Sequence, residues 1–139
     1  ILYNKNMIVK LKTITDKNTK KYGYVMKINH ANKTTTDLKL YHANDFFDVN
    51  KKSAQMQGII NSLKMALKIK PDALDLYVED DCFVNYTDGK VKPRSYLTLQ
   101  AISLYKACIK KNIKINIKTS EELNYESKHN LTKNFWQQQ

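Results

Sequence analysis

Glycine is scarce and never clustered: Gly23, Gly58 and Gly89 each stand alone. A glycine-rich phosphate loop is thereby excluded, because such loops need closely spaced glycines to bring backbone N–H groups around a phosphate. The only two cysteines, Cys82 and Cys108, are too far apart for a zinc knuckle and too few for a disulfide framework. A reducing, intracellular (cytoplasmic) compartment is therefore expected. No apolar run reaches 18 residues and no signal-peptide pattern occurs, so neither membrane insertion nor secretion is expected. Acid is also in short supply. Thirteen Asp and Glu face 24 Lys and Arg, a formal net charge of +11. That balance favours a polyanionic partner, most simply nucleic acid. Lysines spread along the whole chain equally fit a solvated surface, so charge alone does not choose.

What is present reads as one globular domain over residues 1–139. Hydrophobic residues make up 42% of the chain and charged ones 27%, enough apolar material for a core. The chain begins at Ile1, which suggests a domain cut from a longer polypeptide. Its other domains, or a protein partner, are then possible contacts. Alternation predicts strands over 7–14, 22–28 and 34–41. Thr15-Asp16-Lys17-Asn18 and His30-Ala31-Asn32-Lys33 read as the intervening turns, which makes an antiparallel meander. Met56, Ile59, Ile60, Leu63 and Leu67 form one face of a helix over 53–69, with Ser53 as its N-cap. Pro71 ends that helix. Ala73 to Glu79 then reads as a buried strand closing on three acids, Glu79, Asp80 and Asp81.

Next comes a basic loop with an Asp88-Gly89 turn. Leu97, Ala101, Leu104 and Cys108 stripe a second helix over 96–111, and Ile113, Ile115 and Ile117 alternate in a strand over 113–118. A terminal helix is expected beyond Glu121. The resulting fold class is α/β (α+β): a five-stranded mixed sheet in the order β-β-β-α-β-α-β-α, with helices on its faces. Strands 73–79 and 113–118 are expected parallel to the first.

This order of elements resembles the ribonuclease H family over nearly the whole chain. Ile14-Thr15-Asp16 before Gly23-Tyr24 is similar to the family's Thr-Asp at the end of its first strand. Ala54-Gln55-Met56-Gln57-Gly58-Ile59-Ile60 follows the family's first-helix pattern, but with Gln55 in place of a glutamate. Glu79-Asp80-Asp81-Cys82-Phe83-Val84 is similar to the strand-end aspartate and the short helix after it. His129, or else Asn130, falls nearest the fourth acid, within Ser127-Lys128-His129-Asn130-Leu131.

The resemblance implies a site of Asp16, Gln55, Asp80 and His129, with Asp16 and Asp80 as the metal ligands. Family members cut the RNA strand of RNA–DNA hybrids with two Mg²⁺ ions held by four carboxylates. Paired hard cations need anionic oxygen ligands, amide oxygen is neutral, and imidazole is a poor Mg²⁺ ligand. Mg²⁺ binding is therefore expected to be weak or absent and catalysis impaired. Lys51, Lys52, Lys90, Lys92 and Arg94 flank the site in sequence and are the expected contacts to a hybrid or duplex.

Plainer readings stand beside these. Asp16 also fits a hairpin turn, and Lys10 and Lys12 share its strand parity. Gln55 fits a solvated polar residue, Asp80 and Asp81 fit helix caps, and His129 fits a surface histidine. Three functions follow: a nucleic-acid-binding domain that has lost catalysis, an active Mg-dependent hybrid nuclease, and a protein-interaction scaffold on the same fold.

Overall fold

Alternation in the first strand sets the architecture. Met7, Val9 and Leu11 are fully buried, whereas Ile8, Lys10 and Lys12 on the other face are half-buried. One face of the sheet is therefore coated with apolar side chains and must be covered. The computed structural model describes residues 5–16, 18–42 and 51–119; the side chains of Thr15, Asp16, His42 and Lys51 fall outside that description. Strands β1 (Asn6–Asp16), β2 (Lys21–His30) and β3 (Lys33–His42) form the meander. Helix α1 (Lys51–Ile69), strand β4 (Ala73–Val78), helices α2 (Cys82–Thr87) and α3 (Tyr96–Lys110), and strand β5 (Lys114–Thr119) follow. The sheet runs β3-β2-β1-β4-β5, with β1–β2 and β2–β3 antiparallel and β1–β4 and β4–β5 parallel. The expected mixed sheet is the observed one.

Three boundaries differ from the expectation. The α1 helix is already running at Lys51, so Ser53 lies inside its first turns and is not the N-cap. Asp16 is not in a turn; the strand continues through it, and its backbone pairs with Lys21. The second hairpin turns on Ala31 and Asn32 alone, both at positive φ, while His30 and Lys33 remain paired. Positive φ at both central residues is the type I′ geometry that matches strand twist. The expected terminal helix lies outside the described residues.

The core fills the space between the sheet and two helices on the same face. Met7, Val9 and Leu11 of β1, Tyr24 and Met26 of β2, and Leu74, Leu76 and Val78 of β4 meet Met56, Ile59, Ile60 and Leu63 of α1. Ala101 and Cys108 of α3 complete the same cluster. Helix and sheet approach closely at Gly58, where an added Cβ would lie 2.8 Å from Leu11 Cδ2 and 3.2 Å from the Tyr24 ring. Gly58→Ala is therefore expected to destabilise the fold by about 1–3 kcal/mol, despite alanine's better helix propensity. Chemical denaturation with an unchanged m-value checks this.

Candidate active site and nucleic-acid face

The site forms where β4 runs out. Lys10 pairs with Tyr77 in the parallel β1–β4 ladder, and the same offset places Thr13 level with Asp80. Leu76 and Val78 face the helices with no exposure, so by alternation Asp80 turns toward α1. There Gln55, only 2% exposed, joins two neighbours. Its Nε2 donates to Asp80 Oδ1 at 3.0 Å, and its Oε1 accepts the Glu79 backbone N–H at 3.0 Å. A backbone N–H only donates, which settles the orientation of the amide. The Cys82 N–H also donates to Asp80 Oδ1 at 3.0 Å. Asp80, not Asp81, thus caps the start of α2; Asp81 occupies the N-cap position without a side-chain cap bond.

Glu79 takes the opposite direction. It shares the outer face of the sheet with Asp75, which accepts from Asn116 Nδ2 at 2.8 Å, and with Tyr77, whose ring lies 5.5 Å from Lys118 Nζ. β1 continues past the end of β4, so the Thr13 backbone N–H has no further β4 strand residue to pair with. The Glu79 carboxylate accepts that N–H, and Lys12 Nζ lies 3.5 Å from its other oxygen. Three consecutive acids thus separate into three roles: a strand-end tie, a partner for Gln55, and an exposed helix-start residue.

Gln55 and Asp80 are brought together as the sequence implies. The Asp16 backbone lies three residues beyond Thr13, ~10 Å further along β1 at ~3.3 Å per residue; its side chain is outside the described residues, as is the whole of His129. Among the predicted basic contacts, Lys52, Lys90, Lys92 and Arg94 are exposed, and the Lys51 side chain is not described. Sequence reasoning missed Thr13 and the separate part played by Glu79. The signal for Thr13 was its parity with Met7, Val9 and Leu11.

At Asp80 Oδ1 the described groups present donors: the Gln55 amide and the Cys82 N–H both donate to it, and the Gln55 amide oxygen is taken by the Glu79 N–H. Among the described residues no group of three or more His, Cys, Asp or Glu is placed to hold a metal ion. Nor is Cys82 an activated nucleophile. Burial, then its hydrogen bond to Asp80 and that carboxylate's charge, push its thiol above the ordinary range, with Lys52 opposing. Beside these groups opens a cleft of about 760 Å³ between the starts of α1 and α3 and the α2 helix.

A three-stranded meander, a helix, two further parallel strands and a strand-end aspartate facing that helix together define the ribonuclease H-like fold. Solved structures agree. The chain is similar to the N-terminal ribonuclease H domain of a Mycobacterium tuberculosis protein, solved fused to maltose-binding protein, with 14% identity and a TM-score of 0.62. That match covers 83% of this chain and 86% of the other. It is also similar to ribonuclease H1 of the halophilic archaeon Halobacterium salinarum, with 8% identity, a TM-score of 0.62, and 83% and 85% coverage. No protein-family model and no curated protein matches the sequence. None of the helices described is long and apolar enough to cross a membrane.

Proposed function

We propose that this ribonuclease H-like domain binds nucleic acid, an RNA–DNA hybrid or duplex, and is impaired as a nuclease. The observation that carries the catalytic half is the Gln55 amide donating to Asp80. Where two Mg²⁺ ions would require acceptors, the chain supplies an N–H, so Mg²⁺ binds weakly or not at all. The binding half is supported by the net charge of +11 and by exposed Lys52, Lys90, Lys92 and Arg94 on the helix starts and the α2–α3 connection. Phosphate contacts of this kind release counterions and do not depend on an intact metal site.

Titrating the full chain with a labelled RNA–DNA hybrid, duplex DNA and duplex RNA at two salt concentrations tests both halves. Affinity is expected to fall steeply with salt, with little or no hybrid cleavage at millimolar Mg²⁺. Lys90→Glu combined with Arg94→Glu is expected to weaken binding at least ~10-fold and to lower the salt slope by about 2. Robust cleavage by the unmodified chain overturns the impaired reading. Unchanged affinity in the charge-reversed variant would favour a protein-interaction scaffold instead.

A further inference from the structure

The cleft beside Gln55 offers more than phosphate contacts require. Its volume of about 760 Å³ falls within the ~300–1,000 Å³ typical of sites that enclose a small ligand. Tyr22, Tyr86 and Tyr96 line it together with Met56 and Leu97. Tyr96 is 81% exposed, an aromatic ring held into solvent on the first turn of α3. Gln57, half-buried in the same wall, carries an amide donor and an amide acceptor side by side, the pair that reads a base edge. Lys52 supplies a cation within the lining.

Resting on the nucleic-acid reading above, we infer that this cleft receives an unpaired nucleobase. The base stacks against the Tyr86 and Tyr96 rings, Gln57 meets its hydrogen-bonding edge, and Lys52 takes the adjoining phosphate. Stacking on aromatic rings tolerates every base, so the ligand is a single-stranded stretch without strict sequence preference. Charge agrees with this occupant. The first turns of α1 and α3 contain no acid, Arg94 immediately precedes the α3 N-cap Ser95, and neither Asp80 nor Asp81 lines the cleft. An aromatic side chain from a protein partner would fill the apolar wall but leave the Lys52 cation and the Gln57 amide unused.

The test uses the full chain and two labelled single-stranded oligonucleotides of equal length and charge, one with abasic residues at its centre. The base-bearing strand is expected to bind about 10-fold more tightly than the abasic one. Combining Tyr86→Ala with Tyr96→Ala should remove most of that difference and leave abasic binding unchanged; circular dichroism confirms that the variant folds. Equal affinity for the two strands, or a difference that survives in the double variant, overturns the base pocket. The Lys90→Glu and Arg94→Glu variant separates this from the wider reading. If it weakens both strands while the base makes no difference, nucleic-acid binding stands and the pocket falls. If neither strand binds the unmodified chain, the pocket falls while the hybrid and duplex titration decides the wider reading, and a peptide carrying Phe or Trp that binds instead identifies a protein-docking cleft.

Discussion

Gln55→Glu is expected to yield a fold that divalent ions stabilise. In the unmodified chain the amide Nε2 donates to Asp80 Oδ1 and the amide Oε1 accepts the Glu79 N–H. A glutamate keeps the second bond but sets a carboxylate oxygen against the Asp80 carboxylate, in a position that leaves residue 55 only 2% exposed. Two like charges this close, one buried and one half-buried, are unfavourable. In chelator at pH 8, the variant should lose about 3 kcal/mol, roughly 10 °C in Tm.

The pH dependence has a definite sign. Crowding raises the carboxyl affinity for a shared proton in the folded state, so the folded variant binds more protons than the unfolded one as pH rises past the ordinary carboxylate range. Stability relative to the unmodified chain is then lost as pH rises and recovers in acid. Millimolar Mg²⁺ or Mn²⁺ should also restore it, because a cation offsets the paired charges. Thermal melts with and without chelator read out both effects. A saturable rise of several degrees in the unmodified chain on adding Mg²⁺ would show that the donor-filled site does accept the ion.

The difference between what was legible and what was not follows from where each kind of information resides. Met7, Val9 and Leu11 alternate with polar neighbours, and Met56, Ile59, Ile60 and Leu63 recur at helical spacing. These short-range patterns carry the strands, the helices and their buried faces. Gln55 and Asp80 were found because they close a helix start and a strand end, positions that a βαβ crossover brings together. Register is different. Which β1 residue lies level with Asp80 depends on how far α1 returns the chain, and the Lys10–Tyr77 pairing puts Thr13 there. The Thr-Asp pattern in the sequence marks Asp16, whose backbone lies further along the same strand. Likewise, Glu79, Asp80 and Asp81 are consecutive and chemically alike. Only the point where β4 stops decides which one faces the helix. The cleft was invisible because β2, α1, α2 and α3 each contribute to it.

Glu79 is expected to carry a large stability effect outside the apolar core. Its side chain is 1% exposed, and it accepts the Thr13 backbone N–H and lies 3.5 Å from Lys12 Nζ. The carboxylate substitutes for the strand residue that β4 no longer provides, so it extends the β1–β4 junction by one rung. Removing it leaves a buried N–H without that acceptor and opens a small cavity, two penalties that add. Glu79→Ala is therefore expected to destabilise by about 2–4 kcal/mol. Glu79→Gln keeps an oxygen for Thr13 but loses the charge opposite Lys12 and sets an amide N–H near that ammonium, so its loss should be smaller, about 1–2 kcal/mol. Chemical denaturation of the two variants makes the comparison, and hydrogen exchange at the Thr13 amide locates it. That amide should exchange much faster in Glu79→Ala and remain protected in Glu79→Gln. Equal losses in both variants would mean that the charge, not the acceptor, holds the end of the sheet. Protection at Thr13 unaffected by either change would remove Glu79 from the junction altogether.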